Sequence, residues 1–280
     1  MQLQHIVVQP GWVLLLQLLF PLGVVSFSAF ASLHNKMTPE KTWEPQAADD
    51  IIERLRTKVT VTTSTPFMVA LVGIPGSGKS TSAHLVAEEL STRHGKTPMI
   101  MPHDGYHIAL AELPNADAIY RRGAPDTFDV DALIIDLKRI KYGGIDEPTI
   151  SVPGFDHAIG DPTPSAHTFD RARHDIVICE GLYLLHDSNG WERMKQEFDV
   201  SIYIDSNVDR CIERLKVRNS VIPGYTLEEL LLRCDAVDRV NAMTVQRSSA
   251  HRADLVVISY DEHPTVSRSG TTGLSSSQVE

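Results

Sequence analysis

The chain has 280 residues, of which 36 are acidic and 26 basic, giving a formal net charge of −10. That balance argues against a broad phosphate-backbone footprint, so no nucleic-acid partner is expected and any anion must be held by a local device. The three cysteines, Cys179, Cys211 and Cys234, are odd in number and widely spaced, which suggests neither a disulfide framework nor a metal knuckle.

Residues 1–36 differ in kind from the rest. No Lys, Arg, Asp or Glu occurs from Met1 to Asn35, and Trp12 to Phe20 is almost continuously apolar. Pro21 and Gly23 interrupt the run and Ser26, Ser28 and Ala29 follow, a pattern closer to a cleaved presequence than to a spanning helix. The segment is expected to be a targeting presequence or else an uncleaved membrane anchor, the chain's one route to a membrane. Ser28-Ala29-Phe30-Ala31-Ser32 is similar to the Phe-centred cleavage motif of algal plastid presequences. That implies an organelle, a plastid among the candidates, whereas initiation at Met37 would leave the protein cytoplasmic.

A single folded core is expected at 46–260, followed by a Ser-, Thr- and Gly-rich tail at 261–280 expected to be disordered. Ile51, Ile52, Leu55 and Val59 share one helical face. Phe67 to Val72 is a short apolar run with the pattern of a buried parallel strand. Gly78 to Thr92 reads as a helix with Leu85, Val86 and Leu90 facing the core. Met99 to Met101 is a candidate second strand, and Val130 to Tyr142 a helix capped by Asp129 or Asp131. Gly143 to Pro164 is read as loops with an inserted hairpin. Asp175 to Cys179, Asp199 to Ile204 and Asp254 to Ser259 are three more apolar runs, with helices between them at Asn207 to Arg218 and Thr226 to Val245. The alternation predicts an α/β fold, a doubly wound parallel sheet of about five strands covered on both faces.

Gly73-Ile74-Pro75-Gly76-Ser77-Gly78-Lys79-Ser80 fits the eight-position P-loop pattern, and Thr81 follows. Glycines at these places let main-chain N–H groups close around phosphate oxygens, Lys79 reaches the outer phosphates, and Ser80 offers a hydroxyl to Mg2+. Gly73, Pro75, Gly76, Ser77, Gly78, Lys79, Ser80 and Thr81 are therefore expected to bind the phosphates of a nucleotide. Ile176 to Glu180 is an apolar strand ending in an acid that either orients Mg2+ or caps the following turn. Met101-Pro102-His103-Asp104-Gly105-Tyr106-His107 lies just past the second strand, at the carboxyl edge where open α/β sheets bind ligands.

The Asp104 segment resembles the catalytic-base motif of the phosphoribulokinase, uridine kinase and pantothenate kinase group. The resemblance implies a P-loop NTPase fold of the nucleoside and nucleotide kinase type with a helical lid. It also implies ATP and Mg2+ as cofactors and a small-molecule hydroxyl substrate, with a homodimer left open. By position, Asp104 would accept the proton of the attacking hydroxyl and contact Mg2+, with His107 towards the substrate. Arg121 to Asp129 is similar to the family segment ending in Pro, acid, one residue, aromatic, Asp. Its form is closest to a bacterial and fungal subgroup of ATP-dependent kinases of uncertain substrate, together with fructose-transport-associated kinases. Arg121 and Arg122 either hold an anionic group of the substrate or form a solvated basic turn, and Phe128 is assigned to the core. Val152 to His157 stands where the family has its substrate hairpin, with Asp156 and His157 suited to bond acceptor hydroxyls. Arg210 to Asn219 resembles the lid, with Arg214 and Arg218 one helical turn apart. Closed over ATP, the two would stabilise charge on the migrating phosphoryl group, Arg218 as a catalytic residue and Arg214 as a nucleotide contact. Asp238 and Asn241 match the family's Asp and Asn pair, and the resemblance runs from Phe67 to Ser259.

Two departures bear on the acceptor. Uridine kinases put an Asp where this chain has Gly123, and an aromatic after the hairpin Asp where this chain has His157. That leaves a sugar, a sugar acid or a pantothenate-like alcohol as the implied acceptor. A uridine or cytidine kinase, and a nucleotide switch acting on a protein partner, are the rival readings.

Overall fold

A computed structural model of the protein describes residues 43–57, 65–156, 159–219, 226–260 and 263–267. Six strands form one sheet in the order β2 (Pro98–Pro102), β5 (Ile176–Gly181), β1 (Phe67–Gly73), β6 (Val200–Asp205), β7 (Leu255–Tyr260) and β8 (His263–Ser267). The first five are parallel, as expected, and β8 is antiparallel to β7. β8 falls within the 261–280 tail, of which residues 261–262 and 268–280 lie outside the described residues. β8 pairs main-chain groups that would otherwise be left unsatisfied along the edge of β7. Residues 1–36, read above as a targeting or anchoring segment, lie outside the described residues, as do Met37, Val59 and His157.

β1 is central and buried at every position, because successive side chains enter opposite layers. Phe67, Val69 and Leu71 pack with α1 (Trp43–Thr57) and α2 (Lys79–His94) through Ile51, Ala83, Val86 and Leu90. Met68, Ala70 and Val72 face a second layer that includes Leu133, Leu137 and Val245. The buried face of α2 is Ser82, Ala83, Val86 and Leu90, and Leu85, expected inside, is 41% exposed. Three aspartates pin the opposite end of the sheet. Asp199 accepts from Met68 N, Asp254 from Ser201 N and Asp175 from Thr97 N, each at 2.8 Å.

Beyond β2 the chain makes single-turn helices at His103–Tyr106, Leu110–Glu112 and Pro125–Thr127, with α3 (Ala116–Tyr120) among them. Asp129 caps α4 (Val130–Tyr142), its Oδ1 accepting from Ala132 N at 2.9 Å. The expected hairpin follows as β3 (Thr149–Asp156) and β4 (Asp161–Asp170), an antiparallel pair outside the main sheet. It lies against the turn after β2, where a Cβ on Gly105 would collide with Pro153 O. On the other flank stand α5 (Val208–Asn219), α6 (Leu227–Arg233) and α7 (Arg239–Ser249). The helix expected to run unbroken over 226–245 is interrupted by a π-helical turn at Cys234–Asp238. No helix among the described residues is long and apolar enough to cross a membrane.

Candidate active site

The turn from β1 into α2 is set by Gly76 and Gly78, at φ +78° and +84°. L side chains enter that region at a cost and glycine does not. A Cβ at Gly76 would stand 2.5 Å from Cys211 O on α5, so the loop is closed from that side by helix backbone. Gly78 is open, with no heavy atom within 4 Å of its added Cβ among the described residues. It gives α2 no side-chain cap, and no acid occupies the first turn of the helix. The N–H groups and positive dipole end of α2 are thus available to an anion.

Two carboxylates stand on neighbouring strands beside this turn. Glu180 is paired with Leu71 of β1 on one side and Pro102 of β2 on the other, and Asp104 follows Pro102 by two residues. Ser80 Oγ donates to Glu180 Oε1 at 3.0 Å. Glu180 is buried, and its Oε2 has no partner among the described residues. Burial pushes its carboxyl above the ordinary range, with the Lys79 ammonium partly offsetting this. Burial acts on Asp104 in the same sense. There it is overcome by the hydrogen bond to His103 and by the Lys79 ammonium, which hold the carboxyl well below the ordinary range. No group of three or more His, Cys, Asp or Glu suited to a metal occurs among the described residues. Mg2+ commonly takes one or two carboxylates, with waters and substrate phosphates completing its octahedron. Ser80, Glu180 and Asp104, with one orphaned carboxylate oxygen, fit that mode.

Histidines and aromatic rings back the Asp104 turn. His103 is fully buried, stacked on Phe128 with centroids 4.3 Å apart and flanked by Tyr183 and Trp191. Gly181 makes room for it, since a Cβ there would lie 2.5 Å from His103 Cβ. His107 places Nδ1 2.8 Å from Asp104 O and packs its ring on Phe128 and Phe155. Burial lowers its pKa to about 4, against an opposing pull from Asp104, so the ring is neutral at pH 7. Facing a carbonyl, Nδ1 carries the proton, which leaves Nε2 as an acceptor. Phe128 belongs to the core, as its pattern suggested.

The paired arginines serve the protein rather than a ligand. Arg121 donates Nε to Asp117 at 2.7 Å and forks onto Asp126 at 2.9 and 3.0 Å. Arg122 is buried and donates to Gly160 O, to Asp161 and, at 3.0 Å, to Ile108 O. In this geometry the anion-holding reading gives way to one in which Arg122 ties the hairpin to the loop after β2. Asp156 sits at the hairpin tip, its Oδ1 accepting from Ile159 N at 3.3 Å. In α5, Arg214 Nη1 is 3.5 Å from Gly76 O, so it reaches the P-loop. Arg218 donates to Asn219 Oδ1 at 3.2 Å and lies near enough to Asp238 to oppose in small part the burial that raises its carboxyl.

Residues 68–265 match the phosphoribulokinase / uridine kinase family. The chain belongs to that family. A uridine kinase-like protein of Schizosaccharomyces pombe is 33% identical over 189 residues, 65% of this chain and 78% of the relative. The pantothenate kinase of Rhizobium rhizogenes is 34% identical over 154 residues, 52% of this chain, which spans only 45% of that relative. Among solved structures, a provisionally described fructose transport system kinase of Silicibacter sp. TM1040 superposes with a TM-score of 0.67. It is 28% identical, and the match covers 76% of this chain and 98% of that one.

In this P-loop kinase several site residues lie outside what the sequence reading assigned. His103, next to the candidate base, received no role, although a histidine ending an apolar strand is itself a signal. Tyr183 donates to Gly123 O at 2.7 Å, and Asn241 Nδ2 would be 3.4 Å from a Cβ on Gly123. Asp238 stands on the π turn. Burial pushes its carboxyl up, while Arg233, the Cys234 thiol and Arg218 pull it down. Asp238 and Asn241 had been matched to the family without a contact, and π turns often mark such places.

Proposed function

We propose that this kinase transfers the γ-phosphate of Mg·ATP to a hydroxyl of a small metabolite, a sugar, a sugar acid or a pantothenate-like alcohol. The supporting observation is the juxtaposition of Asp104 and Glu180 on adjacent strand ends beside Lys79 and an uncapped helix terminus. The glycine turn and Lys79 would grip the triphosphate, with Arg214 and Arg218 covering it. When bound, Mg2+ neutralises charge on the outer phosphates, held through Ser80 and Glu180 with Asp104 in reach. Asp104 orients the acceptor hydroxyl and receives its proton as the new oxygen–phosphorus bond forms and the bond to ADP breaks. A carboxylate held well below the usual range suffices, because in a loose transition state the hydroxyl becomes acidic only as its oxygen bonds to phosphorus.

A uridine or cytidine kinase is the second reading, favoured by likeness to the S. pombe protein. Gly123 weighs against it: its φ of +103° disfavours a side chain where uridine kinases carry an Asp. The test incubates the full chain with Mg·ATP and separate sugars, glycerate, pantothenate, uridine and cytidine, and measures ADP release. Acceptor-dependent release is expected, and ATP consumption indifferent to every acceptor overturns the reading. Organelle delivery by residues 1–36 belongs to the same proposal. A fluorescent protein carrying those residues that stays cytoplasmic would remove it.

A further inference from the structure

We propose that Arg233 is a positioning residue that carries nucleotide binding at the P-loop to the β3–β4 hairpin, so that Mg·ATP firms the wall beside Asp104. The inference rests on the kinase reading above and adds to it a coupling between the nucleotide and acceptor sides. Contacts begin at the nucleotide end. A Cβ on Gly76 would stand 2.5 Å from Cys211 O and 3.2 Å from Leu215 Cγ, so the P-loop backbone lies directly on α5. Leu215 packs in one cluster with Ile212 and with Cys234, the residue that follows α6. Charged side chains tie the same elements together. Lys216 of α5 meets Asp235 at 2.9 Å, and Arg239 of α7 meets Asp209 at 2.5 Å and Asp235 at 3.3 Å. Packed helices joined in this way shift as a unit rather than deform. Arg214 gives the nucleotide a hold on α5. Its Nη1 lies 3.5 Å from Gly76 O, the long end of a hydrogen bond, and phosphate oxygens on the loop offer its guanidinium a stronger, charged acceptor.

Arg233, the last residue of α6, reaches from this block to the acceptor side. Its two terminal nitrogens donate to Tyr120 O and Arg122 O, both at 2.7 Å. Capping the last carbonyls of α3 needs no more than a nearby cation. The fork does more, because it grips the main chain of the residue whose side chain holds the hairpin. Arg122 is buried and donates to Gly160 O and Asp161 at the start of β4, and to Ile108 O at 3.0 Å. Asp161 also accepts from Leu110 N at 3.1 Å. The hairpin rests in turn on the segment that carries Asp104. A Cβ on Gly105 would collide with Pro153 O, and Phe155 packs on His107 with ring centroids 4.8 Å apart. A displacement of α6 is thus delivered through Arg122 to the hairpin, and through the hairpin to the surroundings of Asp104.

The experiment follows amide hydrogen exchange of the full chain by mass spectrometry, with and without Mg2+ and the non-hydrolysable ATP analogue adenylyl imidodiphosphate. In the parent, nucleotide is expected to slow exchange over residues 73–81 and, by at least about fivefold, over the hairpin strands; that factor is the lower end of ordinary coupling between two sites. Arg233→Met keeps the length of the side chain and removes its donors. It should leave the slowing at 73–81 in place while the hairpin response falls below about twofold. Arg233→Lys keeps the charge without the fork and should recover part of the response. A parent hairpin indifferent to nucleotide overturns the coupling whether or not any variant folds. An Arg233→Met hairpin that responds as the parent's does overturns it too, and both results leave the kinase reading standing. Loss of slowing at 73–81 as well in Arg233→Met would assign Arg233 to the fold and overturn its positioning role. No slowing at 73–81 in the parent overturns the kinase reading itself.

Discussion

His103 and Asp104 are joined side chain to side chain, Nδ1 of the buried imidazole lying 3.1 Å from Oδ1 of the candidate base. The ring cannot turn away, because Phe128 stacks on one face and Gly181 leaves it a fitted seat. In the proposed reaction His103 would be a positioning residue, fixing the carboxylate that is to meet the acceptor. A hydrogen bond to a charged group contributes about 1.5–3 kcal/mol, so His103→Ala is expected to lower kcat about 10- to 100-fold. ATP KM should stay within about twofold, and His103→Asn, which keeps a donor near Nδ1, should recover part of the rate. An equal loss in ATP affinity would assign His103 to the fold instead.

Lys79 and Asp104 separate binding from chemistry. Lys79→Ala and Asp104→Asn are each expected to abolish turnover, since in the proposed reaction one would remove charge from the outer phosphates and the other the proton acceptor. Calorimetry with Mg·ATP should distinguish them, with affinity nearly intact in Asp104→Asn and reduced in Lys79→Ala. Loss of ATP affinity in Asp104→Asn would make Asp104 a structural residue.

What the sequence disclosed follows the range of the interactions involved. β1, β5 and β6 were legible because central parallel strands bury both faces and read as unbroken apolar runs. The P-loop was legible because its geometry is local, with glycines at fixed offsets between a strand and a helix. The setting of His103 was not, since Phe128, Tyr183 and Trp191 come from three distant segments. The partners of Arg121 and Arg122 were hidden for a related reason. Asp117, Asp126 and Asp161 are common surface residues, and only the folded path brings them to the guanidinium groups. The π turn at Cys234–Asp238 adds one residue per turn without disturbing an apolar pattern that already read as helix. Leu85 shows the limit of period alone, because Ala83 rather than the larger side chain occupies the buried stripe.

Glu180 gives a pH dependence of definite sign. Its folded pKa lies above the unfolded value, so the folded chain binds this proton more tightly. Its contribution to stability is then present at low pH and lost as pH rises through the folded pKa. Glu180→Gln removes that loss. Melting curves of the nucleotide-free protein at about pH 5 and about pH 8 should show the variant gaining on the parent at the higher pH. The same variant should need a higher Mg2+ concentration for half-maximal rate. A variant that instead loses stability relative to the parent at the higher pH would show that the buried carboxylate is favourably held as an anion.

Gly76 and Gly78 share a left-handed conformation but differ in surroundings, which makes them a matched pair. At Gly76 an added Cβ meets Cys211 O at 2.5 Å as well as the strain of φ +78°, and helix backbone cannot move aside cheaply. At Gly78 only the strain applies, a cost of about 1–2 kcal/mol. Gly76→Ala is therefore expected to lower unfolding free energy by about 2–4 kcal/mol, clearly more than Gly78→Ala. Urea titration of both variants measures the difference. Because Gly78 opens towards the anion-accepting end of α2, Gly78→Ala should weaken Mg·ATP binding by more than its small stability change predicts. Equal destabilisation by the two variants would mean that α5 does not press on the loop in solution.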